Sequence, residues 1–224
     1  MKQLGSVVCN PLSPRSLNGI SGFVFDCDGV LFDSRDANRR YYNLIRERLG
    51  LPPMDGEEEE YVHSHSVTDS VARIVSPELL DDADRVRKSL PYEEMLPFLR
   101  PEPGLFELLS TIRDLDFRLA INTNRTTTME MLLDRFDLEH YFSPVITAAK
   151  VSRAKPHPES LHLILDYWKA TPGEIIYIGD SDVDEQTAQR AEVQFWAYKN
   201  PVLKAQMHIS DFWTLRQYIL KQQN

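Results

Sequence analysis

The segment Asp26-Cys27-Asp28-Gly29 closes an apolar run that begins Phe23-Val24-Phe25. An apolar run that stops at two acids and a glycine has the pattern of a buried strand delivering carboxylates to its C-terminal end. Residues two apart in an extended chain point to the same side, so Asp26 and Asp28 can meet one ligand while Cys27 faces away. Two carboxylates on one side suit a hard cation. Magnesium prefers oxygen ligands and keeps several waters, which leaves room for a phosphate oxygen in the same coordination sphere. Read as turn chemistry alone, Asp28-Gly29 would fold a hairpin between two apolar arms. A calcium loop fits worse, because its repeat needs an oxygen ligand where Val30 stands and glycine where Leu31 stands.

Three more segments carry reactive side chains in comparable places. Asn122-Thr123-Asn124-Arg125 follows an apolar stretch ending at Ile121, and Gly179-Asp180-Ser181-Asp182-Val183-Asp184 follows one ending at Ile178. Lys155 stands in Arg153-Ala154-Lys155-Pro156-His157-Pro158, just before a predicted helix start. Each has an ordinary structural reading: Thr123 can end a strand, Lys155 can lie on the surface, and Asp180, Ser181, Asp182 or Asp184 can cap a helix. Acids, a hydroxyl and a cation in four successive loops are harder to assign to packing together.

The elements that must position these loops alternate. The pattern predicts a strand from Phe117 to Ile121, a helix from Met129 to Phe136, a short strand from Pro144 to Thr147 and a helix from Leu161 to Trp168. A strand from Glu174 to Ile178, a helix near Val183 to Ala191 and a strand from Gln194 to Ala197 follow. Such alternation predicts an α/β fold, a Rossmann-like doubly wound parallel sheet covered on both faces, with ligands bound outside the carboxyl ends of its strands.

The stretch before Pro101-Glu102-Pro103-Gly104 reads differently. Ser34 or Asp36 can cap a helix with Tyr41, Ile45 and Leu49 at four-residue spacing, stopped by Gly50 and Pro52-Pro53. The acids Glu57 to Glu60 read as a solvated helix face, and a helix through Val71, Ile74 and Val75 ends at Ser76-Pro77. Another, from about Leu79 to Leu99, is interrupted at Pro91 and Pro97. Helices without strands inside an alternating chain read as an insertion. Residues 34–101 are expected to form a small helical domain inserted after the first strand, and 1–33 with 102–224 the core.

Composition narrows the function classes. The 224 residues are 42% apolar, enough for a packed interior, and 25 Lys plus Arg against 34 Asp plus Glu give a formal charge of -9. That balance argues against nucleic acid as a partner. Two cysteines, Cys9 and Cys27, fit neither a zinc pattern nor a disulfide framework. No stretch reads as a signal peptide or membrane span, so a cytoplasmic protein is expected.

The combined motifs resemble the haloacid dehalogenase-like phosphatases, aspartate-nucleophile hydrolases, over roughly residues 20 to 220. Asp26-Cys27-Asp28-Gly29-Val30 matches their first motif, Thr123 the second, Lys155-Pro156 the third, and Gly179-Asp180-Ser181 with Asp184 the fourth. The resemblance implies that Asp26 attacks phosphorus to form an aspartyl-phosphate, and that Asp28 protonates the leaving alcohol and then activates water. It implies Mg2+ on Asp26, the backbone carbonyl of Asp28, and Asp180, with Asp184 as ligand or support. Thr123, Asn124 and Lys155 would hold the phosphoryl group. Segment 34–101 would be a cap, with His63 and His65 as candidate substrate contacts.

The expected activity is hydrolysis of a small soluble phosphate monoester of the phosphoglycolate or sugar-phosphate type. A sugar phosphomutase would keep the same core, but such enzymes commonly lack an acid where Asp184 stands. A non-catalytic binding descendant would be favoured by loss of Asp26 or Asp28, and both are present. Two departures from the family pattern stand out: no glycine in the cap loop near His63, and Glu192 after Ala191 where glycine is frequent. The choice between monomer and homodimer is open at this stage.

Overall fold

Phe23, Val24 and Phe25 are all fully buried. A strand buried on both faces belongs inside a parallel sheet with helices on either side. The computed structural model, which describes residues 17–64, 67–126 and 128–222, has that architecture. The chain runs β1 (Gly22–Phe25), β2 (Phe32–Asp33), α1 (Arg35–Arg48), α2 (Gly56–Ser64), α3 (Val67–Ile74), α4 (Leu80–Ser89) and β3 (Arg100–Pro101). It continues α5 (Leu105–Asp114), β4 (Arg118–Asn122), α6 (Met129–Arg135), β5 (Val145–Ile146), α7 (Glu159–Trp168), β6 (Ile175–Gly179), α8 (Asp182–Arg190), β7 (Gln194–Tyr198), β8 (Met207–Ile209) and α9 (Phe212–Lys221). Six strands pair in parallel in the order β5-β4-β1-β6-β7-β8, while β2 and β3 form a separate two-stranded ribbon. This is the doubly wound α/β fold expected from the strand and helix alternation.

The sheet direction of travel reverses around β1. The chain steps outward to β4 and β5, then returns past β1 to β6, which opens a crevice at the carboxyl ends of the central strands. Register makes those ends level, since Phe25 pairs with Ile121 on one side and Ile178 on the other. The next residues, Asp26, Asn122 and Gly179, therefore lie side by side at the carboxyl ends of the strands. One face packs Val24, Ala120 and Tyr177 with Leu161, Ile164 and Trp168 of α7 and Ala188 of α8. On the other, Phe25 meets Phe142 at 6.3 Å and Phe212 of α9 at 6.2 Å, and Phe23 meets Trp196 at 5.9 Å.

Asp33–Arg100 is a compact unit in its own right. Its core gathers Tyr42, Ile45, Met54, Val62, Val71, Ile74, Val75 and Ala83. The buried face of α1 is centred on Tyr42 and Ile45, with Tyr41 and Leu49 at its margin. It also carries Arg46, whose guanidinium is held by Glu58 at 2.7 Å and by the carbonyls of Pro52 and Ile74 at 2.6 and 3.2 Å. Ser34 is the residue before α1, yet its hydroxyl makes no capping bond and is buried without a partner. The expected interruptions occur as single 3-10 turns, Tyr92–Glu94 and Leu96–Phe98, after α4.

Sequence patterning assigned nothing beyond Ala197, where β8 and α9 lie. The signals for α9 were present: Asp211 accepts from the backbone N–H of Thr214 at 2.7 Å, and Phe212, Leu215 and Ile219 recur on one face. No helix among the described residues is long and apolar enough to cross a membrane.

Gly22 opens β1 where a methyl group would lie 2.7 Å from the Trp168 ring and 2.9 Å from the Arg118 carbonyl oxygen. Gly22→Ala should lower unfolding free energy by about 1–3 kcal/mol through overpacking. Gly173→Ala, where a methyl group meets nothing within 4 Å, should change it by about 0.5 kcal/mol or less. Urea denaturation of both variants checks the difference.

Candidate active site

Strand β1 stops at Phe25, and the backbone then turns sharply. The N–H of Asp26 still bonds the carbonyl of Ile178 at 2.9 Å, but the N–H groups of Leu31 and Phe32 both return to the carbonyl of Cys27, at 2.9 and 3.0 Å. Gly29 takes φ +75, a left-handed conformation that suits glycine, inside this turn. Two-residue periodicity therefore ends before Asp28. Asp26 is buried and Asp28 half-buried, and each carboxylate pairs with a different basic side chain, Asp26 with Lys155 and Asp28 with Arg125.

Asp26 pairs with Lys155. The Lys155 ammonium donates to Asp26 Oδ1 at 2.8 Å, Asp184 Oδ1 at 2.7 Å, the Tyr177 hydroxyl at 3.0 Å and the Asn122 carbonyl at 3.2 Å. The Tyr177 hydroxyl in turn donates to Asp184 Oδ1 at 2.5 Å. Lys155 arrives there because Asn124 grips its backbone at both ends: Asn124 Nδ2 donates to the Lys155 carbonyl at 3.1 Å, and Asn124 Oδ1 accepts from the Lys155 N–H at 3.0 Å. Both ends of the Asn124 amide are thus committed to orienting Lys155. Removing one partner of a buried pair of this kind typically costs about 3–5 kcal/mol, because the other charge is stranded.

The loop after β6 brings the remaining acids. Ser181 caps α8 in a reciprocal box with Asp184: the Asp184 N–H donates to Ser181 Oγ at 3.3 Å, and Ser181 Oγ and N–H donate to Asp184 Oδ2 at 2.6 and 3.2 Å. Asn200 Nδ2 donates to the Asp180 carbonyl at 2.8 Å and steadies the same loop. Two glycines clear the ground, since a methyl group on Gly29 would overlap the Asp180 carboxylate and one on Gly179 would overlap Asp184. Carboxylate oxygens of Asp26, Asp180 and Asp184 all lie within 4.8 Å of one another.

One ammonium stands among three acids, and the titration behaviour follows. Burial pushes the Asp26 carboxyl up to about 7, with Lys155 opposing and Asp184 reinforcing. Burial likewise raises Asp180 to about 8, aided by the charges of Asp26 and Asp184. Asp184 is held below the ordinary range: burial alone would raise it, but Lys155 and hydrogen bonds from Lys155, Ser181 and Tyr177 outweigh that. Lys155 is raised, its burial outweighed by Asp184 and Asp26. An all-oxygen donor set with surplus negative charge fits a hard divalent cation.

Asp28 belongs to a different pair. Arg125 Nε and Nη2 donate to its two carboxylate oxygens at 2.7 and 2.5 Å. Thr123, buried at the end of β4, accepts the Arg125 N–H on Oγ1 at 3.1 Å. Arg125 and Tyr177 are the site residues that sequence reasoning missed: Tyr177 reads as one more apolar strand residue, and Arg125 was visible only as a polar neighbour of Thr123. His63 ends up within α2, while His65 lies outside the described residues.

Residues 23–198 match the family model described as haloacid dehalogenase-like hydrolase. The chain belongs to that family. A structure from Geobacter sulfurreducens PCA described as a HAD-superfamily hydrolase, subfamily IA, variant 1, is 36% identical at a TM-score of 0.80, covering 91% of this chain and 97% of that one. The phosphorylated carbohydrates phosphatase of Thermotoga maritima is 26% identical, over 76% of this chain and 81% of its own. The phosphoglycolate phosphatase of Salmonella paratyphi A is 28% identical, over 79% and 80%. The haloacid dehalogenase-like chain is thus a hydrolase, and phosphatase is the activity named for both the Thermotoga and the Salmonella relative.

Raised carboxyls make the cation-free protein sensitive to pH. From about pH 4 the folded state holds protons that the unfolded chain has released, on Asp26 up to about pH 7 and on Asp180 up to about pH 8, so stability falls as pH rises through those windows. The stabilising contribution of Asp184 is lost only below the ordinary carboxylate range and lies outside them. Urea titrations in chelator should show unfolding free energy dropping by about 1–3 kcal/mol from pH 5 to pH 8, less steeply in Asp180→Asn. A rise over that interval would contradict the charge arithmetic.

Proposed function

We propose that this haloacid dehalogenase-like chain is a magnesium-dependent phosphatase that hydrolyses small phosphate monoesters through an aspartyl-phosphate on Asp26. The observation that carries the reading is the buried Asp26 carboxylate, held by Lys155 at 2.8 Å within one cluster with Asp180 and Asp184. Pinning one oxygen of Asp26 on Lys155 orients the other toward an incoming phosphorus atom. Asp26 attacks, the P–O bond to the alcohol breaks, and Asp28 gives its proton to the departing oxygen. Asp28 then takes a proton from the water that attacks the aspartyl-phosphate, which releases phosphate and restores Asp26.

Thr123 and Lys155 take the phosphoryl oxygens, and Asn124 sets the position of Lys155. Magnesium, held by Asp26, the Asp28 carbonyl and Asp180 with Asp184 as ligand or support, would supply positive charge against the repulsion between an anionic nucleophile and an anionic substrate. Phosphoryl transfer rests mainly on positioning and electrostatics, so both the cation and Lys155 are needed. Segment 34–101 is assigned the part of a cap, with His63 and His65 as its candidate substrate contacts. The phosphatase names of the relatives support the monoester class.

Purified protein assayed against a panel of phosphate monoesters should release phosphate with magnesium and lose that activity in chelator. Asp26→Asn should lower turnover by about four orders of magnitude or more while keeping the fold, because the amide preserves shape without a nucleophilic charge. Near-normal rates in that variant would remove the mechanism.

A second test separates ligand from cap on the same loop. Asp180 lies in the acidic cluster, whereas Asp182 is exposed in the first turn of α8. Calorimetric titration should show magnesium affinity falling at least about tenfold in Asp180→Ala and little in Asp182→Ala. Equal losses would mean the ligands are misassigned.

A further inference from the structure

The mechanism above uses Asp28 but gives Arg125 no task. The Arg125 guanidinium nevertheless makes the two-pronged contact that matches a carboxylate, and its side chain is only 10% exposed against 37% for Asp28. Its backbone is fixed, with the N–H on Thr123 Oγ1 and the carbonyl accepting from Ala148 at 2.9 Å. The two basic groups are therefore divided, Lys155 beside the nucleophile and Arg125 beside the acid.

With both oxygens of Asp28 turned into the fork, neither faces a substrate. Swinging Asp28 out alone would leave a nearly buried guanidinium without its carboxylate, which is costly. An incoming anion that takes over the fork removes that cost. The fork lies at the acid and so on the side of the departing alcohol, away from the pairing of Lys155 with Asp26. The anion it already holds is a carboxylate.

We infer that Arg125 is a specificity-determining residue whose fork passes from Asp28 to a carboxylate on the leaving group, selecting phosphate monoesters of small hydroxy acids. The inference rests on the phosphatase reading and on Asp28 as its acid.

The test compares kcat/KM, with magnesium, for 2-phosphoglycolate and for ethyl phosphate, an alkyl ester without the carboxylate, in the parent chain, Arg125→Lys and Arg125→Gln. The parent should favour 2-phosphoglycolate by about 10²-fold, and Arg125→Gln should reduce that preference to about threefold, chiefly through loss on 2-phosphoglycolate. Arg125→Lys, with a charge but no fork, should fall between them. Equilibrium binding in the Asp26→Asn background gives a second readout, in which the advantage of 2-phosphoglycolate should disappear with Arg125→Gln. If thermal melts show Arg125→Gln unfolded, the Arg125→Lys ratio carries the test. Equal losses on both esters, no preference in the parent, or a preference that survives both substitutions would overturn the inference. Turnover of other monoesters but neither of these would also overturn it and leave the phosphatase reading standing. Absence of any phosphatase activity with magnesium would remove both.

Discussion

A single ammonium buried among carboxylates sets the terms for everything around it. Lys155 touches Asp26 and Asp184 directly, with Asp180 in the same cluster, so the interior carries more acid than base. Water cannot settle that imbalance where Asp26, Lys155 and Asp184 are all buried. The fold answers in three ways. Tyr177 and Ser181 point donors at Asp184, burial raises Asp26 and Asp180, and the oxygen cluster is left fit for a divalent ion. A site with balanced charge would need no such ion and would hold it weakly.

The sheet makes this concentration of charge possible. Parallel strands in register bring Asp26, Asn122 and Gly179 to one level at the carboxyl edge, and the reversal of direction around β1 keeps that edge open. Close approach then depends on missing side chains. At Gly29 and Gly179 any Cβ would occupy space held by the carboxylates of Asp180 and Asp184, so glycine there serves proximity between acids as much as backbone freedom.

Much of this was legible in the residue pattern, and the reasons for success and failure are physical. Strand and helix alternation is long-range and repetitive, so the parallel α/β class could be read from it. Asp26, Lys155, Asp180 and Asp184 could be singled out because packing alone rarely places so many charged residues in the loops at one predicted sheet edge. The pairing of Asp28 with Arg125 was not legible because the chain turns after Phe25, so two-residue periodicity does not fix where the Asp28 carboxylate lies. Tyr177 was invisible because a buried hydroxyl in a strand matters only through what lies beyond it, and its partners come from segments 22 and 7 residues away. The left-handed φ of Glu192 shows the opposite case, in which a backbone position often filled by glycine keeps its conformation with a less suited residue.

The loop from Gly179 to Asp184 shows why structural and chemical readings of one residue need not compete. Asp184 is the third residue of a capping box, a role for which helix geometry alone would select it. The same box holds its Oδ2 with two donors from Ser181 and leaves Oδ1 to Lys155 and Tyr177. A carboxylate fixed on both oxygens cannot rotate, so its charge is delivered at a defined point without further ordering cost at the moment of reaction. Asn124 does the same for Lys155 by spending its amide on backbone. The helix start and the asparagine are ordinary fold devices, and the precision of the charged cluster is inherited from them.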